Sequence, residues 1–174
     1  EQAAGVEFGE RERRSVARGL VRAGVCELEV GIPASGEEAR RRIASVAHAT
    51  PDAWLLAWCR ARKDDLEAAA RCPVEGAHIS FPVSDRHLRI WGKDRAWVLQ
   101  TLSELAQEAA ARFDYFTVGA QDASRADPEF LAEFAAATAS TPAVRLRLAD
   151  TVGILTPAAT SLMVGAVRAA APAL

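Results

Sequence analysis

Asp150 and Thr151 are the polar pair that most directly suggests chemistry in this sequence. They follow a short stretch of alternating apolar residues, Val144 to Ala149, and Gly153 then lets the chain turn toward a helix that starts at Pro157. In α/β proteins, ligands are held at the carboxyl ends of strands, just before such a turn. Neither polar residue is needed to start a helix several residues later, so both are candidates for ligand binding.

Polar side chains also follow the other predicted strands at the same position. They are Glu29, Arg60, Arg62, His78, Ser80, Ser84, Asp85, His87, Gln121, Asp122, Ser124 and Arg125. The opposite strand ends, such as Ala143, lack polar side chains. This asymmetry is expected of a barrel whose functional residues lie at the carboxyl face. The sequence has no GxGxxG, GxxxxGK(S/T) or GxSxG motif. Acids, bases and guanidinium groups without a phosphate loop or nucleophile elbow favour enolate or carboxylate chemistry.

Each candidate also has a purely structural interpretation. Glu29 could cap the following helix or lie in water at a strand end, and Arg62 could simply be solvated. His78, within an apolar strand, could be a hydrogen-bonded core histidine, while His87 could be a surface residue or part of a helix cap. The residues alone leave these alternatives open.

Strands and helices alternate along the whole chain. The pattern predicts strands over 25–32, 53–59, 76–81, 115–119 and 144–149, and helices over 10–23, from 35, from 64, over 94–112, over 128–139 and from 157. Apolar strands joined by crossover helices predict a parallel sheet covered by helices, an α/β fold. Five strands and six helices correspond either to part of a (β/α)₈ TIM barrel or to a complete doubly wound sheet.

The composition is typical of one globular domain. Half of the 174 residues are hydrophobic and the formal net charge is -2. Lys and Arg alternate with Asp and Glu, so no basic stripe predicts nucleic-acid binding, and no apolar run approaches the ~20 residues that span a bilayer. The three cysteines lack CxxC spacing, which favours a reducing, cytoplasmic location.

Several blocks of sequence resemble one known family. Glu1-Gln-Ala-Ala-Gly-Val-Glu-Phe, Glu27-Leu-Glu-Val-Gly-Ile-Pro, His78-Ile-Ser-Phe-Pro-Val-Ser-Asp-Arg-His-Leu, Gly119-Ala-Gln-Asp-Ala-Ser-Arg-Ala-Asp and Leu148-Ala-Asp-Thr-Val-Gly carry the resemblance. They are similar to the acyltransferase and lyase family of homocitrate synthase, isopropylmalate synthase, citramalate synthase and hydroxymethylglutaryl-CoA lyase, and within it to the nitrogen-fixation type of homocitrate synthase. The resemblance covers essentially the whole chain.

The resemblance implies a TIM barrel, of which residues 1–174 would hold about strands 2–6 with helices 1–6, an incomplete catalytic domain. The implied reaction condenses acetyl-CoA with 2-oxoglutarate and hydrolyses the thioester to homocitrate and CoA, assisted by a divalent Mg, Mn or Zn ion, in a homodimer. Isopropylmalate or citramalate synthase of the same family is the first alternative. A non-enzymatic α/β ligand-binding domain is the second.

The family's functional positions map onto six residues of this sequence. Glu29, Arg62 and His78 are the predicted catalytic residues, and Gln2, Gln121 and Thr151 are predicted to bind the substrate. The sequence departs from the family at Gln121, where relatives often carry glutamate. It also departs at Thr117, where lysine-pathway homocitrate enzymes carry an arginine for the distal carboxylate.

The metal ligands of the family are expected outside this sequence. The motif Leu-Arg-Asp/Glu-Gly would precede Glu1, and a His-x-His pair would follow Leu174. The resemblance therefore predicts that the 174 residues alone are inactive and bind metal weakly.

Overall fold

A computed structural model describes residues 4–174, and its five strands form one parallel sheet. The strands are Glu27–Gly31 (β1), Trp54–Arg60 (β2), Gly76–Pro82 (β3), Tyr115–Gln121 (β4) and Leu146–Leu148 (β5). They lie side by side in chain order. A doubly wound sheet reverses its strand order at a switch point, whereas a barrel does not. The order therefore identifies part of an α/β barrel, as the resemblance implies, and not the doubly wound sheet that the sequence pattern also allowed.

The described residues contain seven α-helices, one more than the sequence pattern predicts. They are Glu10–Arg22 (α1), Glu37–Ala49 (α2), Lys63–Ala69 (α3), Asp85–Ile90 (α4), Arg95–Arg112 (α5), Pro128–Ala139 (α6) and Pro157–Ala170 (α7). The additional helix, α4, has only six residues, too few to show an apolar period. Ser84 is its N-cap, and the Ser84 Oγ accepts a hydrogen bond from the His87 N–H at 3.2 Å.

The two faces of the sheet have different chemistry. Along β2, β3 and β4, every second side chain points outward into the apolar layer beneath the helices, as Cys59, Phe81 and Val118 do, all fully buried. The alternate side chains, such as His78 and Thr117, line the opposite, inner face. The core thus lies between sheet and helices, which leaves the inner face for polar groups.

Two ion pairs show that the sheet is strongly curved. Arg145, just before β5, contacts Glu27 of β1 at 2.7 Å, and Arg147 of β5 contacts Glu29 of β1 at 2.6 Å. In a flat sheet, strands four positions apart are about 19 Å from each other, beyond the combined reach of these side chains. The first and last strands therefore face each other across a concave inner surface, as opposite walls of a barrel do.

No helix in residues 4–174 combines the length and apolar character required to cross a bilayer.

Candidate functional site

His78 stands at the centre of the inner face. Its Nδ1 lies 2.7 Å from the Thr117 hydroxyl on the neighbouring strand, and only 4% of the residue is exposed. Gly119 makes room for the ring, because a Cβ at that position would lie 2.4 Å from the histidine Nε2. His78 is therefore a hydrogen-bonded, buried histidine, as its structural interpretation predicts. This arrangement is also compatible with a functional role on the inner face.

The surroundings of His78 keep its imidazole uncharged. Burial lowers the pKa of His78 from 6.5 to about 3, with further lowering by the positive charges of Arg147 and Arg145. A neutral imidazole can donate a hydrogen bond from one ring nitrogen and accept one at the other, but it lacks the second, acidic proton of the imidazolium ion. His78 is therefore suited to orienting or polarising a bound carbonyl group.

Glu29 faces the same concave surface from β1. Its carboxylate pairs with the Arg147 guanidinium at 2.6 Å, and the two side chains are 35% and 44% exposed. It thus caps no helix, contrary to one of the two structural alternatives. The second ion pair, between Glu27 and Arg145, lies two residues earlier on the same strands. The inner face accordingly carries both carboxylates and guanidinium groups within reach of solvent.

Asp122, immediately after β4, is the centre of a buried polar network. Its carboxylate accepts hydrogen bonds from Ser84 Oγ at 2.5 Å and from Arg125 Nε and Nη2 at 2.8 and 2.7 Å, and the residue is fully buried. His87 Nε2 lies 4.0 Å away. Burial by itself raises the pKa of Asp122, but hydrogen bonds from Arg125 and Ser84 and the nearby His87 outweigh it and lower the pKa.

The same network reaches Thr151. The Asp122 backbone N–H donates to the Thr151 hydroxyl at 2.8 Å, and Asp122 adopts the left-handed conformation with φ 62° and ψ 35°. The neighbouring Asp150 has a structural role, because its carboxylate accepts from the N–H groups of Ile154 and Leu155 at 3.2 and 2.8 Å. Thr151 is thus fixed in position at the carboxyl end of β5 and remains exposed.

The other predicted site residues occupy different places. Gln121 is the last residue of β4 and follows Thr117 and Gly119 in the alternation that faces inward. Arg62 lies at the start of α3, in a cavity with two tryptophans beside the carboxyl end of β2. Gln2 lies outside the described residues. The structure therefore places Glu29, His78, Gln121 and Thr151 along one concave face and its carboxyl rim, with Arg62 beside it.

Sequence reasoning included Asp122 among the polar residues after strands but did not select it. The spacing of Asp122 and Arg125 within one short loop was the available signal, because an acid and an arginine three residues apart can pair across a turn. The contribution of Ser84, on a different strand's loop, needs the strand order to be known.

No group of three or more histidine, cysteine, aspartate or glutamate side chains suited to a metal ion occurs within residues 4–174. The inner-face residues thus do not by themselves fit the divalent ion that the resemblance implies.

The fold and the inner face define a class, that of α/β-barrel proteins with a polar site on the concave side of the parallel sheet. The HMGL-like family model matches residues 1–174. The chain belongs to the HMGL-like family.

Comparison with individual proteins agrees with this assignment. The homocitrate synthase of Frankia alni is 39% identical over 173 residues, which are 99% of this chain and 49% of that protein. The 2-isopropylmalate synthase 2 of Caldanaerobacter subterraneus subsp. tengcongensis is 39% identical over 169 residues, 97% of this chain and 44% of that protein. The chain thus spans about half the length of these relatives.

The solved structure of the hydroxymethylglutaryl-CoA lyase of Bacillus subtilis superposes with a TM-score of 0.79 at 17% identity, covering 95% of this chain and 59% of that one. At this identity the similarity concerns the fold alone. It supports the α/β-barrel architecture that the strand order indicates.

Proposed function

We propose that this chain is part of a homocitrate synthase, which condenses acetyl-CoA with 2-oxoglutarate and hydrolyses the product thioester to homocitrate and CoA. The observation that carries the proposal is the set of polar side chains on the inner face, among them Glu29, His78, Gln121 and Thr151, in a chain whose named relatives include homocitrate synthases. The homodimer and the metal ion, with ligands outside the described residues, remain predictions of the resemblance, and the cytoplasmic location remains a prediction from the cysteine spacing.

The chemistry of the site residues fits the steps of such a condensation. The acetyl methyl group must lose a proton, and Glu29 is a partly exposed carboxylate on the concave face that could accept one. The keto acid's carbonyl must be held and polarised, which suits the neutral His78. Thr151 and Gln121 carry hydroxyl and amide groups at the carboxyl rim, suitable for orienting the keto acid's carboxylate. When present in the complete enzyme, a divalent ion would supply further polarisation of the carbonyl.

The charges on β5 favour a dicarboxylic keto acid over a branched apolar one. Arg145 and Arg147 both point toward the inner face, since their partners lie on β1 while Leu146 packs against the helix-side core. A second carboxylate on the substrate needs a cation, and Thr117 supplies none. We therefore propose that Arg147 releases the carboxylate of Glu29 and binds the distal carboxylate of 2-oxoglutarate instead.

The function can be tested by following CoA thiol release by the full-length protein that contains this chain. Acetyl-CoA with 2-oxoglutarate should give chelator-sensitive release, whereas 2-oxoisovalerate and pyruvate should give little. Arg147→Leu should lower kcat/KM for 2-oxoglutarate by about 100-fold, because the distal carboxylate of the substrate would lose its charged partner. Arg11→Ala, which removes an exposed arginine on α1, is the matched control.

Two other results would change the conclusion. Release with 2-oxoisovalerate in place of 2-oxoglutarate would assign the protein to the isopropylmalate branch of the same family. No release with any keto acid would support a ligand-binding domain.

A further inference from the structure

The tautomer of His78 can be inferred from its hydrogen bond to Thr117. A neutral imidazole carries one ring proton, so one ring nitrogen donates a hydrogen bond and the other accepts one. His78 Nδ1 lies 2.7 Å from Thr117 Oγ1, and the two residues are in register on the neighbouring strands β3 and β4. The atom that holds the shared proton decides what the other nitrogen, Nε2, can offer to a substrate.

The surroundings of Thr117 make its hydroxyl the donor. Thr117 is fully buried, and the contact with Nδ1 is the one side-chain hydrogen bond that its hydroxyl makes within residues 4–174. If Nδ1 carried the ring proton, the hydroxyl would accept it, and the hydroxyl's own proton would be buried without an acceptor. A buried donor without a partner is costly. Thr117 therefore donates to Nδ1, which leaves the ring proton on Nε2.

Nε2 is the ring nitrogen that is open to the inner face. It makes no hydrogen bond to any described residue, and it is not among the polar side-chain atoms that are both unpartnered and closed off from water. It lies over Gly119, where a Cβ would approach it to 2.4 Å. Gly119 is in register with Arg147 on β5. The Nε2 proton is therefore available to a ligand bound on the inner face near Arg147.

The two tautomers would give His78 opposite roles. An unprotonated Nε2 could remove a proton from the acetyl methyl group as a general base. A protonated Nε2 on a neutral ring donates a hydrogen bond instead, which stabilises a carbonyl oxygen as negative charge develops on it during attack by the enolate. The burial of Thr117 favours the second role, and it leaves Glu29 as the group that accepts the methyl proton.

We propose that Thr117 is a positioning residue that holds His78 in the tautomer with its proton on Nε2, so that Nε2–H donates to the carbonyl oxygen of the keto acid. The part of this inference that concerns catalysis rests on the proposed function. The tautomer itself follows from the burial of Thr117 and from its hydrogen bond, whatever reaction the protein catalyses.

Nuclear magnetic resonance of the full-length protein, with its histidines labelled with ¹⁵N, tests the tautomer at pH 7.5. The chemical shifts of the two ring nitrogens of a neutral histidine report which of them carries the proton. The signals of His78 are those that are absent from His78→Asn or His78→Gln. We expect a protonated Nε2 and an unprotonated Nδ1 that accepts a hydrogen bond. A proton on Nδ1 would overturn the proposal.

Three threonine variants test whether Thr117 holds this arrangement. Thr117→Val keeps the shape of the side chain and removes its hydroxyl, so the Nδ1 signal should move to the position of a nitrogen without a hydrogen bond. Thr117→Ser keeps a hydroxyl and should retain the original signal. Thr138→Val removes an equally buried hydroxyl from α6, where it bonds the Phe134 carbonyl at 2.8 Å, and should leave His78 unchanged. An unchanged Nδ1 signal in Thr117→Val would contradict the role of Thr117.

Steady-state kinetics of the same full-length variants separate this proposal from the proposed function. Thr117→Val should lower kcat with 2-oxoglutarate about 10-fold through loss of an oriented hydrogen bond, while KM for acetyl-CoA changes little. Thr117→Ser should recover most of the activity, and Thr138→Val should retain it. Condensation with an unaltered kcat in Thr117→Val would reject the positioning role and keep the function. No condensation by the unmodified protein, together with a protonated Nε2, would reject the function and keep the tautomer.

Discussion

The network around Asp122 and the ion pairs between β1 and β5 both join segments that are distant in the chain, but they differ in solvation. Asp122 is fully buried and hydrogen-bonded to Ser84 and Arg125. The carboxylate and guanidinium of the pair between Glu29 and Arg147 are 35% and 44% exposed. Water therefore competes with the second contact and not with the first. The buried network should stabilise the carboxyl rim, whereas the exposed pairs keep their charges available to a ligand.

The largest effect on stability is expected at Asp122. Asp122→Ala leaves Ser84 and Arg125 without their acceptor and places an alanine in a left-handed backbone conformation. The loss should be about 3 kcal/mol in the free energy of unfolding, measured by urea denaturation.

Two companion variants identify the cause of that loss. Asp122→Asn tolerates the left-handed conformation and keeps the side-chain shape, so it should cost less than Asp122→Ala. Glu133→Ala, at an exposed carboxylate on α6, should change the free energy of unfolding by under about 0.5 kcal/mol. If Asp122→Ala cost no more than Glu133→Ala, the network would not stabilise the rim.

A smaller effect, dependent on pH, is expected at His78. The pKa of His78 falls from 6.5 in the unfolded chain to about 3 in the folded one, so the unfolded state binds more protons between these values. The stability that depends on the neutral imidazole is complete above pH 6.5 and is lost as the pH falls toward 3. At pH 5 the loss relative to pH 7.5 should be about 2 kcal/mol.

The measurement for His78 is urea denaturation at pH 7.5 and pH 5. His78→Asn cannot titrate in this range, so its stability should fall less between the two pH values than that of the unmodified chain. Each protein gives a change in the free energy of unfolding between pH 7.5 and pH 5. Subtracting the change of the variant from that of the unmodified chain cancels any pH-independent cost of the substitution and the titration of other groups. Equal pH dependence in both proteins would mean that His78 is already accessible to protons in the folded state.

The sequence predicts the fold well because periodicity and strand-end residues are local signals. The five strands and six of the helices follow from apolar spacing. In the structure, the side chains of Asp94, Asp127 and Thr156 cap three of these helices by accepting hydrogen bonds from the first turn. The short helix α4 was missed because six residues are too few to display a period. The match to the HMGL-like family covers residues 1–174. Motifs in several separate segments of the sequence are therefore enough to indicate the family.

Partners distant in the sequence are the part that sequence reasoning could not supply. The contact between Glu29 and Arg147 spans 118 residues and depends on the curvature of the sheet. Likewise, Asp122 and Thr151 are 29 residues apart and meet because β4 and β5 are neighbours. The sequence indicates which residues lie at the carboxyl ends, and the curvature and strand order decide which of them touch.

The smallest stability effect is expected for the ion pair between Glu29 and Arg147. This pair also tests most directly the contrast between the buried Asp122 network and the exposed ion pairs. A double-mutant cycle with Glu29→Gln, Arg147→Leu and the double variant should give a coupling energy of about 0.5 kcal/mol, because both groups remain partly hydrated. A coupling above about 2 kcal/mol would mean that the pair is structural and that Arg147 is not free to exchange Glu29 for a substrate carboxylate. A small coupling in stability, together with a large loss of 2-oxoglutarate turnover in Arg147→Leu, would show that the guanidinium serves the ligand more than the fold.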